Sequence, residues 1–438
     1  MFGFSRYQWI VLAAAWLGWG FDVFDGLLFN YVAPNAVPVL LGLTLGSAEA
    51  KTATLFWTGA LTSLFLIGWA VGGVIFGPIS DRFGRRRTLM ITMVLYALGT
   101  ACCALVTDMW QLVACRIIAS LGIGGEWAAG AAMVAEVVDD DHRVEAGALL
   151  YTAAPFGLFL ATGVNALIAG NLMSADPETS WRFVLLFGLL PATVAFFVRL
   201  FIKEPERWVQ TAQAAKAPAP RISELFSAAF WPRTRSALLM TFIALLTWWS
   251  CNAFIPVVSA TLGQAAAAAG GLDKAATSAL VENWKTIATT SFNLGGLIGT
   301  LLTIPIAKRL GRRPMFAIYF GVSALALMAT FGLDLPEETR LYAYFFIGLS
   351  VFGVFGSFTY YLPELYPTRL RATGAGFCYN IGRVVAAAGP YVVGSVAAAG
   401  AGSPAVILNA LFAVAFVPLA GLLFIPLVVE TRGQTLPE

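Results

Sequence analysis

The chain has 438 residues, 59% of them hydrophobic and 12% charged, and a net charge of +3. An ordinary soluble domain is about one quarter charged, so this composition excludes a water-soluble fold of such size, and so small a net charge gives no footing for nucleic acid. The five cysteines (Cys102, Cys103, Cys115, Cys251, Cys378) lie in apolar runs without metal-ligand spacing, and the one histidine, His142, sits in a polar stretch. The cysteines read as packing residues, no metal site is expected, and a His-based catalytic site inside a membrane is disfavoured.

A membrane-crossing helix needs roughly 20 mostly apolar residues. In chain order such runs occupy 7–33, 54–77, 88–107, 109–136, 146–171, 182–202, 235–262, 284–308, 314–333, 341–364, 371–398 and 404–429, twelve in all. The first follows a single basic residue, Arg6, and is too long for a signal-peptide core. Twelve crossings put both termini on one side. Nineteen Lys and Arg residues fall on that side, against five (Lys51, Arg182, Lys274, Lys285, Arg340) on the other. By the positive-inside rule the crowded side is cytoplasmic. The polar stretch Lys203–Arg235 divides the chain into an N-terminal six-helix bundle (1–204), a cytoplasmic linker (205–234) and a C-terminal six-helix bundle (235–438). The Ala-rich stretch Gly263–Lys274 reads as a second long connection, on the outer side.

The halves repeat. Aligning Gly84 of Gly77–Arg87 (GPISDRFGRRR) with Gly311 of Ala307–Pro314 (AKRLGRRP) superposes Arg85 and Arg86 on Arg312 and Arg313. Glu136, Arg143 and Gly147 after the fourth run correspond to Glu364, Arg371 and Gly374 after the tenth, with the same Glu-to-Arg spacing. Such duplication points to a secondary transporter whose site lies between the halves near the bilayer midplane.

These residues carry a resemblance. Gly77–Arg87 is similar to the signature loop between helices 2 and 3 of the major facilitator superfamily, and Arg116–Glu126 (RIIASLGIGGE) to its helix 4 motif. The GGEW ending resembles the metabolite–proton and sialate/lactate–proton symporter branches. Glu204–Trp208, Pro363–Pro367 and Glu430–Gly433 resemble sugar-porter marks. The resemblance implies an all-α membrane protein with twelve transmembrane helices in two pseudo-symmetric six-helix bundles. It also implies cytoplasmic latches, with Gly77, Asp81, Arg82, Gly84, Arg85, Arg86, Glu136 and Arg143 in one, and Arg312, Arg313, Glu364 and Arg371 in the other. The plainer reading of the loop arginines is topology and anionic lipid.

Charges at bilayer depth are costly and usually functional. They are Asp22 and Asp25 in span 1, Arg116 and Glu126 in span 4, and Arg383 in span 11. At about 1.5 Å of rise per residue, Arg116 reaches the depth of Asp25 and extends toward Asp22, whereas Glu126 lies far below it. A buried aspartate beside an arginine can take up and release a proton as their contact changes. Asp22, in Gly20-Phe21-Asp22, is the counterpart of the helix 1 acid in proton-coupled sugar porters; a static ion pair is the alternative. Spans 7–12 show no midmembrane acid, so Arg383 faces either cargo or an acid of the first half. An anionic cargo would satisfy it through a charge-assisted bond, and Tyr379–Arg383 resembles the helix 11 arginine of organic-anion carriers. Asn30, Trp248, Trp249, Asn252, Asn293, Tyr360, Tyr361, Tyr379 and Asn380 lie at comparable depth as candidate cavity residues. Trp57, Trp110, Trp181 and Trp284 read as an interfacial belt.

The expectation is a monomeric, multi-pass inner-membrane symporter. It takes up a small organic anion, a monocarboxylate or an acidic sugar, by alternating access. It needs no cofactor, and the proton is its coupling ion. The first rival is a proton-coupled sugar or polyol transporter, in which Arg383 pairs with Asp25 or Glu126. A membrane enzyme lacks its nucleophile and base, and a nutrient sensor is expected to carry an added soluble domain.

Overall fold

The structure, a computed structural model, describes residues 4–83, 85–124, 134, 138, 142–189, 193, 221–400 and 403–434. Within its helices the side chains at 77, 78, 80–83, 85–87, 89, 143, 368, 369, 371 and 372 lie outside the description. The described chain is helical, with no strand among those residues.

Helix α1 (Arg6–Leu40) opens on a capping box: the Gln8 N–H donates to Ser5 Oγ at 3.2 Å, and the Ser5 N–H to Gln8 Oε1 at 2.8 Å. It continues past its expected end through Pro34 and Pro38, which membrane helices tolerate where neighbours cover the freed carbonyls. Gly42 and Gly46, both at positive φ, turn the chain into α2 (Ala48–Phe83). Then come α3 (Arg85–Cys103), α4 (Met109–Gly124), α5 (Val144–Leu172) and α6, described over Pro177–Phe187. The second bundle holds α7 (Trp231–Ala269), α8 (Lys274–Leu310), α9 (Arg312–Gly332), α10 (Glu337–Glu364), α11 (Thr373–Ala399) and α12 (Pro404–Leu427). The two six-helix bundles meet along α5 with α8 and along α2 with α11. Of the expected linker 205–234, residues 205–220 lie outside the described residues, and α7 begins within its last part at Trp231.

One correction concerns the stretch read as a long outer connection. Alanine is the strongest helix former, so α7 runs to Ala269 and only Gly270–Asp273 intervenes before α8. Asp273 Oδ1 accepts the Ala276 N–H at 2.8 Å and starts α8 ten residues ahead of its apolar run. That extension draws Glu282 into the bundle, one turn before Lys285.

Helices α7 and α10 are among those broken beside the centre of the molecule. Helix α7 is interrupted between Asn252 and Ile255, with Pro256 in the first turn of the second piece. Helix α10 passes through a π turn (Gly348–Phe352) and a 3-10 turn (Gly353–Ser357). Such irregularities re-aim side chains and concentrate at functional sites.

Candidate functional site

A small cavity lies between the bundles. Trp19, Val23 and Leu27 of α1, Trp69 of α2, and Tyr151 and Ala154 of α5 line it from one half. Leu245, Trp248 and Trp249 of α7, Phe352 and Phe355 of α10, and Tyr379 and Arg383 of α11 line it from the other. The breaks position this wall. Trp248 and Trp249 close the first piece of α7, and the irregular turns of α10 present Phe352 and Phe355.

Arg383 is the one charged side chain among these lining residues, and it is 2% exposed. Its guanidinium lies 4.2 Å from the Trp69 ring and 4.5 Å from the Tyr379 ring. Its Nη1 donates to Asn380 Oδ1 at 2.8 Å. Trp69 meets Trp249 edge-on with centroids 6.1 Å apart, and Trp249 meets Trp248 at 4.6 Å. The site is an aromatic box with a fixed cation in its wall. Its volume is about 30 Å³, room for roughly two waters and far below the ~300 Å³ of a ligand cleft. A molecule larger than that would fit only if the walls parted.

The expected cavity residues divide. Trp248, Trp249 and Tyr379 line it, and Asn380 holds Arg383. Tyr360 and Tyr361 do not. They sit on the last turns of α10, beyond Phe355, where the Tyr360 hydroxyl donates to Met315 Sδ and the Tyr361 hydroxyl to the Val429 carbonyl. Asn30 accepts from Thr62 at 3.4 Å, Asn252 is buried apart from the lining, and Asn293 joins the seam between the bundles, donating to Thr162 at 3.3 Å.

On α1, Asp22 and Asp25 are both buried. Thr100 Oγ1 donates to Asp25 Oδ2 at 2.7 Å, and Oδ1 has no hydrogen-bond partner among the described residues. Arg116 turns to the neighbouring backbone instead. Its Nη2 donates to the Gly26 carbonyl at 2.5 Å, and its guanidinium lies 4.6 Å from the Phe65 ring. No ion pair within 4 Å joins it to Asp25 among the described residues. Glu126 lies outside them.

The sequence reading missed a buried charge cluster. Lys285, counted with the outer-side charges at the edge of its run, is fully buried, and Glu282 is 3% exposed. The Lys285 ammonium lies 2.7 Å from the Glu282 carboxylate. The signal available was the spacing Glu282, Lys285, Thr289, Asn293, which puts four polar side chains on one helical face. Trp181 and Trp284, expected in an interfacial belt, are also buried, as is Arg340, which donates to the Thr330 carbonyl. Helix ends that pack against neighbours bury such side chains whatever their depth.

At the arginine-rich face of the second bundle, Arg312 forks onto Glu364 through Nη2 at 2.6 Å and Nε at 3.1 Å. Thr431 Oγ1 donates to the same carboxylate at 2.6 Å. Glu430 accepts the N–H groups of Arg312 at 2.9 Å and Arg313 at 3.0 Å, at the start of α9. A Cβ at Gly311 (φ +100°) would meet that carboxylate. Burial pushes the Glu430 carboxyl up, but these N–H donors and that of Arg432 outweigh it and hold the group below the usual carboxylate range. Lys308 pairs with Glu145 across the bundles. Of the remaining expected latch residues, Gly84 and Glu136 fall outside the described residues, as do the side chains at Gly77, Asp81, Arg82, Arg85, Arg86, Arg143 and Arg371.

The sequence profile of the Major Facilitator Superfamily matches residues 9–390. A "Probable 4-methylmuconolactone transporter" of Cupriavidus pinatubonensis is 31% identical over 96% of this chain and 90% of its own length. A "Gentisate transporter" of Corynebacterium glutamicum is 26% identical over 87% and 80% of the two chains. The "Sialic acid transporter NanX" of Escherichia coli is 25% identical over 86% and 85%. Among solved structures, a D-xylose–proton symporter covers 98% of this chain and 100% of its own at a TM-score of 0.71 and 18% identity, a likeness of fold. With helices, duplicated loops and profile in agreement, the chain belongs to the Major Facilitator Superfamily and is a multi-pass membrane transporter, not an enzyme.

Proposed function

We propose that this protein takes up a small, flat organic acid together with protons by alternating access, with both termini and the arginine-rich face in the cytoplasm. The observation that carries the reading is the cavity wall: one permanent cation, Arg383, set among Trp19, Trp69, Trp248 and Trp249. Aromatic faces favour a planar ring, and a guanidinium favours a carboxylate through a forked, charge-assisted bond. The names of the relatives, a lactone and a phenolic acid among them, support the same class of cargo. The buried carboxylates Asp22 and Asp25 supply the proton-carrying groups in this reading. Arg116 and Glu126 complete the coupling set, and the Arg312–Glu364 pair serves as the latch at the cytoplasmic face.

Ligand-induced thermal stabilisation across hydroxybenzoates, a muconolactone, sialic acid and D-xylose tests it. A ring acid at a hundredfold excess over its Kd should stabilise by about 2.7 kcal/mol, and Arg383→Ala should abolish the shift. A neutral sugar that stabilises both proteins equally would overturn the reading in favour of a sugar transporter.

A further inference from the structure

The buried pair on α8 faces the other bundle. Glu282 and Lys285 stand three residues apart on one helix, so neither charge depends on the first half for its counter-ion. The neutral groups around them belong to the first half. Asn35 Nδ2 of α1 donates to Glu282 Oε1 at 3.2 Å, and Asn165 Nδ2 of α5 to Oε2 at 2.8 Å. Lys285 Nζ donates to the Tyr31 carbonyl of α1 at 3.0 Å. The polar line continues inward. Thr162 Oγ1 of α5 lies 3.1 Å from both the Tyr31 hydroxyl and Thr289 Oγ1, within reach to donate to either, and accepts from Asn293. Beside Asn293, Phe292 stacks on the cavity residue Phe352 at 5.6 Å.

We propose that this cluster is the lock that holds the two bundles closed at the arginine-poor face, and that it opens by releasing neutral amides while the ion pair stays whole. The inference rests on the alternating-access reading. A salt bridge shared between the halves would have to strip water from two separated charges each time they close, at a high desolvation cost. Here the second half keeps both charges together, and the first half gives up only neutral groups to water: two amides, the Tyr31 carbonyl and the Thr162 hydroxyl. The lock is strong, because the bonds it makes are charge-assisted, and it is reversible, because closing it desolvates no separated charges. Its place between the arginine-poor face and the cavity makes it the part that must separate for cargo to enter from that side.

Two full-length variants in lipid nanodiscs test this. Each carries one reporter, Thr289→Cys, with the five native cysteines changed to alanine, and labelling by a polar maleimide is timed. The double change Asn35→Ala/Asn165→Ala removes the amides and spares the pair; it should raise the labelling rate at least tenfold with little loss of thermal stability. Labelling unchanged from the parent would overturn the proposal, since a merely structural cluster would lower stability without exposing position 289. The labelling needs no cargo, so this inference and the identity of the cargo fail separately.

Discussion

A guanidinium keeps its charge at every pH a protein meets, so Arg383 is a standing cation in the aromatic box rather than a switch. Its plane is held between Trp69 and Tyr379 at 4.2 and 4.5 Å, a geometry an ammonium cannot copy. Arg383→Lys should therefore weaken binding of a ring acid by roughly 10- to 100-fold, the worth of one or two charge-assisted bonds, with little change in melting temperature; equilibrium binding on purified protein reads this. Asp25 is a different kind of group. It is buried, it accepts one hydrogen bond from Thr100, and a neutral Asn can keep that bond. Asp25→Asn should retain cargo exchange across the membrane at zero gradient and lose accumulation driven by a pH gradient. Exchange and accumulation falling together would make Asp25 structural. The sequence singled out Arg383 and Asp25 as intramembrane charges. It could not show that Arg116 turns to the Gly26 carbonyl, because depth along two helices does not say which way a side chain rotates.

At the scale of the element, the helices pack by glycine. On α8, Gly295 and Gly299 lie one turn apart against α10, where an added Cβ would run into the carbonyls of Phe345 and Leu349. Gly348 of α10 faces Phe292 in the same way. Close backbone approach of this kind stands in for the hydrophobic drive that lipid removes. Gly299→Leu should destabilise the second bundle by about 1–3 kcal/mol through overpacking, seen as a lower thermal midpoint in detergent, whereas a change at Gly321, where a Cβ meets open space, should leave it unaltered. The irregular turns of α10 were not legible in the sequence. Its residues 341–364 read as one apolar run, and a π turn leaves no periodic mark in a segment apolar on all sides. The same holds for the Ala-rich end of α7, where low polarity hid a strong helix former.

For the molecule as a whole, contacts between segments far apart in the chain hold the fold. Glu430 ties the chain beyond α12 to the start of α9 through two N–H groups. Because its carboxyl is held below the usual range, the folded state binds the charged form more tightly. The stability it contributes is present above the unfolded carboxyl pKa, about 4.3, and is lost as pH falls through the lower folded value. The thermal midpoint of Glu430→Gln should lie below that of the parent at pH 7, and the two should converge below about pH 4; a gap that persists in acid would mean that the carboxylate's charge is not what matters. What the sequence by itself determined is the membrane class, the count of twelve crossings, the duplicated halves and the residues that carry charge into the bilayer. These follow from run length, loop charge and repeated motifs, all of which are one-dimensional properties. The tertiary structure alone decided which faces meet. Asn35 and Glu282 are 247 positions apart, and no local spacing encodes their bond. It forms because two six-helix bundles bury their polar faces against one another, where water cannot satisfy them.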